Sequence, residues 1–250
     1  MSLVLLLAAA AAGAPICADR PTKANAVCTV PAGMLQVESG LAGWSVTQVA
    51  GTRTTLVTVA PTTLKLGLTD SSDLELAMTP YARVRVQHGG SISGFGDVLV
   101  RYKQKLTADS APVQAAVIPF VKLPTASDGL GNGKVEGGLA VPISFAIAGS
   151  ATMTLGPKAD LLADDDGQGR HVAVVNLVNV SGPIAPRLTL AVELWSNLNF
   201  DPAHTIRQAS ADAALSYAAS NDVQLDAGMN FGLNRATADV ELYAGASMRF

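Results

Sequence analysis

Two runs near the C-terminus alternate between apolar and polar residues almost without error. In the run 223–234, the odd-numbered residues are Val, Leu, Ala, Met, Phe and Leu, and the even-numbered ones are Gln, Asp, Gly, Asn, Gly and Asn. In the run 239–250, the even-numbered residues are apolar and the intervening ones are mostly polar. Successive side chains leave a β-strand on opposite sides, so each run predicts a strand. Residues 235–237 would join the two strands as a hairpin, and the chain ends on Phe250. One apolar and one charged face predict the closing strands of a transmembrane β-barrel.

The same pattern recurs along the whole chain. We predict about twelve strands, at roughly Met34–Val46, Arg53–Leu68, Asp73–Gln87, Phe95–Leu106, Pro112–Leu123, Lys134–Ala148, Ala151–Ala163, Gly169–Val180, Ile184–Ser196, Thr205–Ala219, Val223–Asn234 and Ala238–Phe250.

Strand length and loop length both favour a membrane barrel. Soluble strands cluster around 5–6 residues, whereas these run about 11–15; twelve tilted residues rise about 30 Å, the thickness of a bilayer core. Tight turns, such as residues 149–150, alternate with mostly longer Gly- and Asp-rich loops, such as residues 124–133. An even strand count puts both termini on the short-turn side. We therefore predict an all-β fold, a single antiparallel up-and-down barrel, whose closure pairs every backbone group.

Alternation alone does not decide which face is outside. A soluble barrel with its charged face in water would show the same pattern. Export, strand length, loop asymmetry and Phe250 favour the lipid-facing assignment, although aromatic residues are only 5% of the chain. Prolines inside predicted strands remove ladder donors and predict bulges at their heights; they are Pro61, Pro80, Pro119, Pro142 and Pro157.

Composition excludes two other classes. The chain is 49% hydrophobic and 15% charged, but its apolar residues are dispersed, and no run of about 18–20 occurs beyond the N-terminus, as a helical membrane protein would need. A net charge of −3 argues against a nucleic-acid partner.

The N-terminus, residues 1–18, predicts a signal peptide. Residues 3–12 form an apolar core too short to span a bilayer, although no Lys or Arg precedes it. A retained anchor or a buried helix is the alternative. Cleavage after Ala18 would leave Asp19 first, remove Cys17 and leave Cys28 without a partner. Residues 19–33 would then be a periplasmic N-terminal segment, and residues 34–250 the barrel.

Several short motifs, in order, resemble those of a known family. They are Ala18-Asp19-Arg20-Pro21, then Thr29 through Gly40, Leu66-Gly67-Leu68-Thr69 with Leu74-Glu75-Leu76, Gly94 through Val98, Lys122 through Thr125, Val223 through Gly228, Gly232-Leu233-Asn234 and the final Arg249-Phe250. The chain resembles the family of outer-membrane transporters named for the meta-pathway of phenol degradation. This resemblance implies an outer-membrane β-barrel and, through the family name, aromatic solutes. Resemblance to other outer-membrane barrels implies that Phe250 is part of the signal read by the barrel-assembly machinery.

If the apolar face meets lipid, the polar face lines a lumen. Strand parity predicts these pore-lining residues: Glu38, Glu75, Arg83, Arg85, Asp97, Arg101, Lys103, Lys105, Lys158, Asp160, Glu193, Asp226, Asp239, Glu241 and Arg249. Cations on the third and fourth strands would oppose carboxylates on the last strands, which creates a transverse field favouring polar or zwitterionic solutes. The alternative is that these charges pair across the interior and block it.

The sequence offers little for catalysis or metal binding. His88, His171 and His204 all fall near the predicted outer end, and Asp164-Asp165-Asp166 could polarise His171 as a base, but no G-x-S-x-G motif accompanies them. The Asp triplet before Gly167 lacks the later Glu of a calcium loop, and no Cys/His cluster suits zinc. We predict neither a catalytic residue nor a cofactor nor a metal.

The predicted function is a passive channel for small solutes in the cell outer membrane. Its partners would be outer-membrane lipid, the barrel-assembly machinery and a small-molecule solute, for which the family name suggests aromatic compounds. The alternatives are a cell-surface barrel enzyme or loop-based binding protein, and a closed structural barrel.

Overall fold

The computed structural model describes residues 15–250, and every regular element in that range is a β-strand. The residues predicted as the apolar core of a signal peptide lie outside the described residues. No helix long and apolar enough to cross a membrane occurs in residues 15–250.

The strands are β1 (Leu35–Val49), β2 (Thr52–Val59), β3 (Thr62–Thr69), β4 (Ser72–Met78), β5 (Tyr81–Val86), β6 (Ser91–Gly94), β7 (Val98–Lys105), β8 (Val113–Leu123), β9 (Glu136–Ala140), β10 (Ile143–Ala146), β11 (Thr152–Leu155), β12 (Lys158–Ala163), β13 (Arg170–Ala185), β14 (Leu188–Phe200), β15 (Thr205–Ala218), β16 (Val223–Gly232) and β17 (Val240–Arg249).

These segments form one closed antiparallel sheet of twelve spans. Five spans consist of two segments each, namely β2 with β3, β4 with β5, β6 with β7, β9 with β10 and β11 with β12. Each span pairs with the next along the chain, and β1 pairs with β17 as well as with β2 and β3. The pairs Gln36–Arg249 and Val46–Val240 mark the two ends of that closing seam. The prediction of an all-β, twelve-strand, up-and-down barrel is confirmed.

Proline accounts for four of the five breaks. Pro61, Pro80, Pro142 and Pro157 each lie between the two segments of a span, where a residue without an N–H interrupts the ladder least. Pro119 stays within β8, whose register with β7 has no pairs between Arg101–Phe120 and Gln104–Val117.

The break at Pro80 changes which side chains face inward. On β4 the buried Asp73 and Glu75 have odd numbers, whereas on β5 the buried residue is Ala82. A slip of one residue moves every following side chain to the other face. Strand parity therefore cannot be carried across the break.

The two ends of the barrel differ. The terminal end carries residues 15–34, Phe250 and the connections at residues 70–71, 106–112, 147–151, 186–187 and 219–222. The loop end carries residues 50–51, 87–90, 124–135, 164–169, 201–204 and 233–239. In its shortest turn both Ala50 and Gly51 have positive φ (49° and 80°), as a type I′ hairpin requires.

The sheet is polar inside and apolar outside. Charged residues on the concave face, such as Lys65 and Glu75, are fully buried, while Leu161 and Leu194 on the convex face are 50% and 60% exposed. A water-soluble barrel would reverse this distribution, because exposed aliphatic surface is costly in water. The lipid-facing assignment therefore fits the structure, and the soluble-barrel alternative does not.

Candidate functional site in the barrel interior

The predicted pore-lining residues separate into three groups. Those that are buried on the interior face are Glu38, Glu75, Lys103, Asp160, Glu193 and Asp226. Those that are half-buried are Asp97, Arg101, Lys105, Lys158, Glu241 and Arg249. Those that are exposed are Arg83, Arg85 and Asp239.

Arg83 and Arg85 do not lie on the interior face, contrary to the parity prediction. They flank inward positions on β5, beyond the break at Pro80, and Arg83 donates to Ser91 Oγ at 3.4 Å on the exposed surface. Asp239 precedes β17 at the loop end and is exposed, with its backbone N–H bonded to Val46 O. These three residues therefore do not form part of an interior charge wall.

Two more predicted residues lie at the terminal rim. Lys105 pairs with Asp109 of the turn 106–112, and Arg249 pairs with Asp222 at 2.6 Å. Both cations contact exposed turn carboxylates at the rim.

Residues 15–34, which we call the N-terminal segment, lie within the barrel. The prediction names residues 19–33 a periplasmic N-terminal segment, and in the structure side chains of this segment pack against the interior face. Arg20 contacts Asp226 at 2.6 Å, and Lys23 contacts Asp212 at 2.6 Å. The backbone N–H of Ala24 donates to Glu193 at 3.1 Å. Carboxylates of β14, β15 and β16 thus hold one side of the segment.

The other side of the segment enters a buried ion cluster centred on Asp19. Lys65 Nζ lies 2.7 Å from Asp19 Oδ2 and 2.5 Å from Glu38 Oε1, and Lys103 Nζ lies 3.0 Å from Asp19 Oδ1. Arg101 Nη2 lies 2.6 Å from Glu75. Oppositely charged neighbours at such distances repay part of the cost of burial. The charges therefore pair within the interior, which is the alternative to the opposed walls of a transverse field.

The ion cluster also sets the ionisation of Asp19. Burial alone would raise the pKa of Asp19, but the charges of Lys103, Lys65 and Arg101 hold it well below its usual range. Asp19 is therefore a carboxylate at neutral pH, and it ties the N-terminal segment to β3 and β7.

A disulfide closes the N-terminal segment on itself. Cys17 and Cys28 are bonded, with their Cα atoms 6.0 Å apart; the expectation that Cys28 has no partner applies to a chain cut after Ala18, from which Cys17 is removed. Gln36 Nε2 donates to Cys17 O at 2.6 Å, and Ile16 N donates to Asn221 O at 2.7 Å. Residues on both sides of the predicted cleavage position after Ala18 therefore belong to the folded interior.

A cavity of about 260 Å³ lies beside the N-terminal segment. Its apolar wall comes from five strands, and includes Leu99, Ile118, Phe120, Leu177 and Trp195. Its polar wall comprises Lys23, Asn25, Arg101 and Lys158. We call this space the interior cavity.

Two lysines of the interior cavity lie over its aromatic rings. Lys23 Nζ is 4.9 Å from the centre of the Trp195 ring, and Lys158 Nζ is 5.4 Å from that of Phe120. The ring quadrupole attracts a cation over its face, which fixes both side chains at the cavity wall.

The sequence analysis missed five residues that form interior contacts, namely Asp19, Arg20, Lys23, Lys65 and Asp212. Lys65 and Asp212 carry a usable signal, because each alternates with apolar neighbours on its strand. Asp19, Arg20 and Lys23 carry none, since residues 15–34 have no periodicity and the position of an irregular segment depends on the finished barrel.

A separate group at the loop end contains potential metal ligands. His171 Nδ1 lies 2.8 Å from Asp164 Oδ1 and 3.4 Å from Asp201 Oδ2, and a second group joins Asp165, Asp201 and His204. Hydrogen bonds from the backbone of Asp165 and Ala203, together with His171, lower the pKa of Asp201. Imidazole and carboxylate groups in this arrangement could ligate a divalent cation. His88 lies in the exposed connection at residues 87–90.

Comparison with solved structures agrees with this fold. The COG4313 outer membrane channel from Pseudomonas putida F1 aligns with a TM-score of 0.70 and 16% identity, over 92% of this chain and 100% of that one. The transport unit of the autotransporter AIDA-I from Escherichia coli aligns with a TM-score of 0.51 and 10% identity, over 87% and 90% of the two chains. At these identities the likeness shows the barrel fold of outer-membrane channels.

Comparison of sequences gives the family. No curated protein matches the chain. One family profile matches residues 18–250, nearly the whole chain. The chain therefore belongs to the family described as "Putative MetA-pathway of phenol degradation".

Proposed function

We propose that this protein is a channel of the cell outer membrane through which small solutes, single-ring aromatic compounds among them, diffuse passively. The observation that carries the proposal is the closed sheet with an apolar exterior, a charged interior and the interior cavity within its lumen. The family and the fold of solved outer-membrane channels support it.

The N-terminal segment defines the route that a solute would take. Lys23 and Asn25 of the segment form part of the wall of the interior cavity. A solute that crosses the barrel through the interior cavity would therefore pass beside the segment.

The test is uptake into vesicles that carry lipopolysaccharide in the outer leaflet, which slows aromatic solutes without a channel. We expect the wild-type protein to accelerate entry of toluene or phenol over protein-free vesicles. Ala140 is buried at the cavity wall on β9, so Ala140→Phe should fill the cavity and reduce that acceleration. The matched control is Ala159→Phe on β12, an exposed position paired with Leu139 of the neighbouring strand.

Equal uptake by wild type and Ala140→Phe, in barrels with the same circular dichroism and resistance to detergent unfolding, would reject the interior cavity as the route. No acceleration by the wild type would reject the channel itself.

Assembly and export belong to the same proposal. Phe250 is 67% exposed, and its backbone pairs with Leu35 at the seam that closes the barrel. We expect Phe250→Ala to lower the amount of assembled barrel in cells, because the assembly machinery would lose an aromatic terminus. Met248→Ala, at another exposed position of β17, is the control. Equal amounts of the two variants would contradict this role.

A cell-surface enzyme is the second candidate, favoured by one observation. His171 is buried and its Nδ1 contacts the carboxylate of Asp164, and a histidine oriented by a carboxylate is a common general base. Lipid and peptide hydrolysis by the wild type, lost in His171→Asn, would establish it. Absence of hydrolysis by the wild type would exclude these two activities.

A further inference from the structure

The charged part of the interior cavity has one sign. Its wall contains Lys23, Arg101 and Lys158, and the remaining polar member is the amide of Asn25. No carboxylate lines the cavity within residues 15–250. In a protein with a net charge of −3, a pocket with three cations and no acid is not a consequence of overall composition.

Each cation is paired with a carboxylate that is more deeply buried than the cation itself. The side chains of Lys23, Arg101 and Lys158 are 30%, 19% and 34% exposed, whereas those of Asp212, Glu75 and Asp160 are 5%, 0% and 10% exposed. The exposed surface of each pair is therefore the cationic one. An anion in the cavity would meet ammonium and guanidinium donors, while the acids contribute at longer range.

The rest of the wall suits a hydrocarbon ring. Phe120, Trp195 and the aliphatic Leu99, Ile118 and Leu177 surround the same space. An apolar cavity of about 150 Å³ is sufficient to bind benzene. The interior cavity, at about 260 Å³, has room for one ring and a carboxylate group.

From this lining we infer that the interior cavity is a binding site for single-ring aromatic carboxylates, represented by benzoate. The inference rests on the proposed function and names the class of solute within it. Aromatic and aliphatic side chains hold the ring, and the three cations replace the water that the carboxylate loses on entry. Without such partners a carboxylate that leaves water for the cavity would have nothing to replace its hydration. A neutral ring of the same shape makes the contacts with the aromatic and aliphatic side chains but has no carboxylate to interact with the cations.

Binding is measured in detergent by calorimetry and by the fluorescence of Trp195, with Trp44→Phe as the background that leaves Trp195 as the only tryptophan. The probes are benzoate and its neutral isostere benzamide. We expect benzoate to bind at least tenfold more tightly than benzamide, because charge-assisted hydrogen bonds are about twice as strong as neutral ones.

The decisive variant is Lys158→Gln combined with Asp160→Asn, which removes one cation from the wall, leaves no unpaired acid and keeps the net charge. Its benzoate affinity should fall about tenfold, while its benzamide affinity stays unchanged. The matched control is Lys105→Gln, because Lys105 pairs with Asp109 at the terminal rim and does not line the cavity. We expect this control to bind benzoate as tightly as the wild type does.

Equal affinity of the wild type for benzoate and benzamide would overturn the inference, as would unchanged benzoate binding by the double variant. The vesicle assay separates this result from failure of the channel. Uptake without preference for benzoate over benzamide would reject the anion site and leave the channel intact. Tight benzoate binding without any uptake would retain the site and reject the channel.

Discussion

Arg20 and Asp226 are 206 positions apart in the chain and form a bidentate ion pair inside the barrel. Arg20 Nε donates to Oδ2 at 3.1 Å, and Nη2 donates to Oδ1 at 2.6 Å. The side chain of Asp226 is fully buried. A residue of the N-terminal segment is therefore fixed to one of the last strands, so the segment reaches this position only on a formed barrel.

Loss of one partner of this pair should release the N-terminal segment. We expect Asp226→Asn to leave the guanidinium of Arg20 without its counter-ion, at a cost of about 3 kcal/mol. Limited proteolysis with trypsin would measure the effect as faster cleavage after Lys23, because Pro21 protects the bond after Arg20. The combined variant Arg20→Gln with Asp226→Asn buries no unpaired charge, so it should be cleaved more slowly than Asp226→Asn at Lys23. Equal cleavage of wild type and Asp226→Asn would show that the pair does not anchor the segment.

The disulfide should restrict the same segment. The bond between Cys17 and Cys28 closes a loop between residues that are 11 positions apart. A disulfide that closes a loop of this length stabilises a fold by about 2–3 kcal/mol. We expect the double variant Cys17→Ser with Cys28→Ser to expose Lys23 to trypsin. Reductant should have the same effect on the wild type and none on the double variant. Protection that survives reduction in the wild type would mean that the ion pairs suffice.

The disulfide also bears on processing of the N-terminus. We propose that the predicted signal peptide is cut before Cys17 and not after Ala18, because Cys17 is bonded to Cys28 and buried. Intact mass measurement of protein purified from outer membranes should give a chain that begins N-terminal to Cys17. A chain beginning at Asp19 would contradict this proposal and leave Cys28 as a free thiol.

The accuracy of the sequence-based prediction depends on how regularly apolar and polar residues alternate in each part of the chain. Uninterrupted alternation placed Glu38, Glu193 and Asp226 on the polar face, and these residues are buried in the interior. The same rule failed for Arg83 and Arg85, because the break at Pro80 shifts the strand by one residue and alternation carries no information about such a shift. Proline predicted where breaks occur and not how the register resumes.

The ion pairs inside the barrel were the part of the structure that the sequence predicted least well. Lys103 looked like one member of a free cationic ladder, yet it contacts Asp19 of the N-terminal segment. The partner of an interior charge depends on which segment fills the lumen, and residues 15–34 have neither strand nor helix periodicity. Only the three-dimensional path of the segment reveals that the charges are paired.

Gly67 on β3 should be essential for docking of the N-terminal segment. A Cβ at this position would collide with the backbone oxygens of Val30 and Pro31. Gly67 also exchanges hydrogen bonds with the segment, accepting from Gly33 at 2.9 Å and donating to Met34 at 3.0 Å. We expect Gly67→Ala to displace the segment and lower the free energy of unfolding by about 1–3 kcal/mol, as overpacking typically does.

The matched control for that variant is Gly90→Ala, where a Cβ meets no atom within 4 Å. Urea titration monitored by tryptophan fluorescence compares the two variants. Equal stability of Gly67→Ala and Gly90→Ala would show that the backbone of the segment moves aside without cost.

We expect acid to weaken the docking of the N-terminal segment, because protonation of Asp19 removes its charge. Its pKa lies below the ordinary value in the folded protein, which for an unfolded aspartate is about 3.9. Because the unfolded state then binds more protons, the contribution of Asp19 is complete above about pH 4 and is lost as the pH falls towards the folded pKa. We expect protection of the segment against pepsin to be greater at pH 4.5 than at pH 2 in the wild type. Asp19→Asn removes the titrating group beside Lys65 and Lys103, so its protection should be weaker at pH 4.5 and should change less between the two values. The same pH response in Asp19→Asn and wild type would assign the acid sensitivity to other carboxylates.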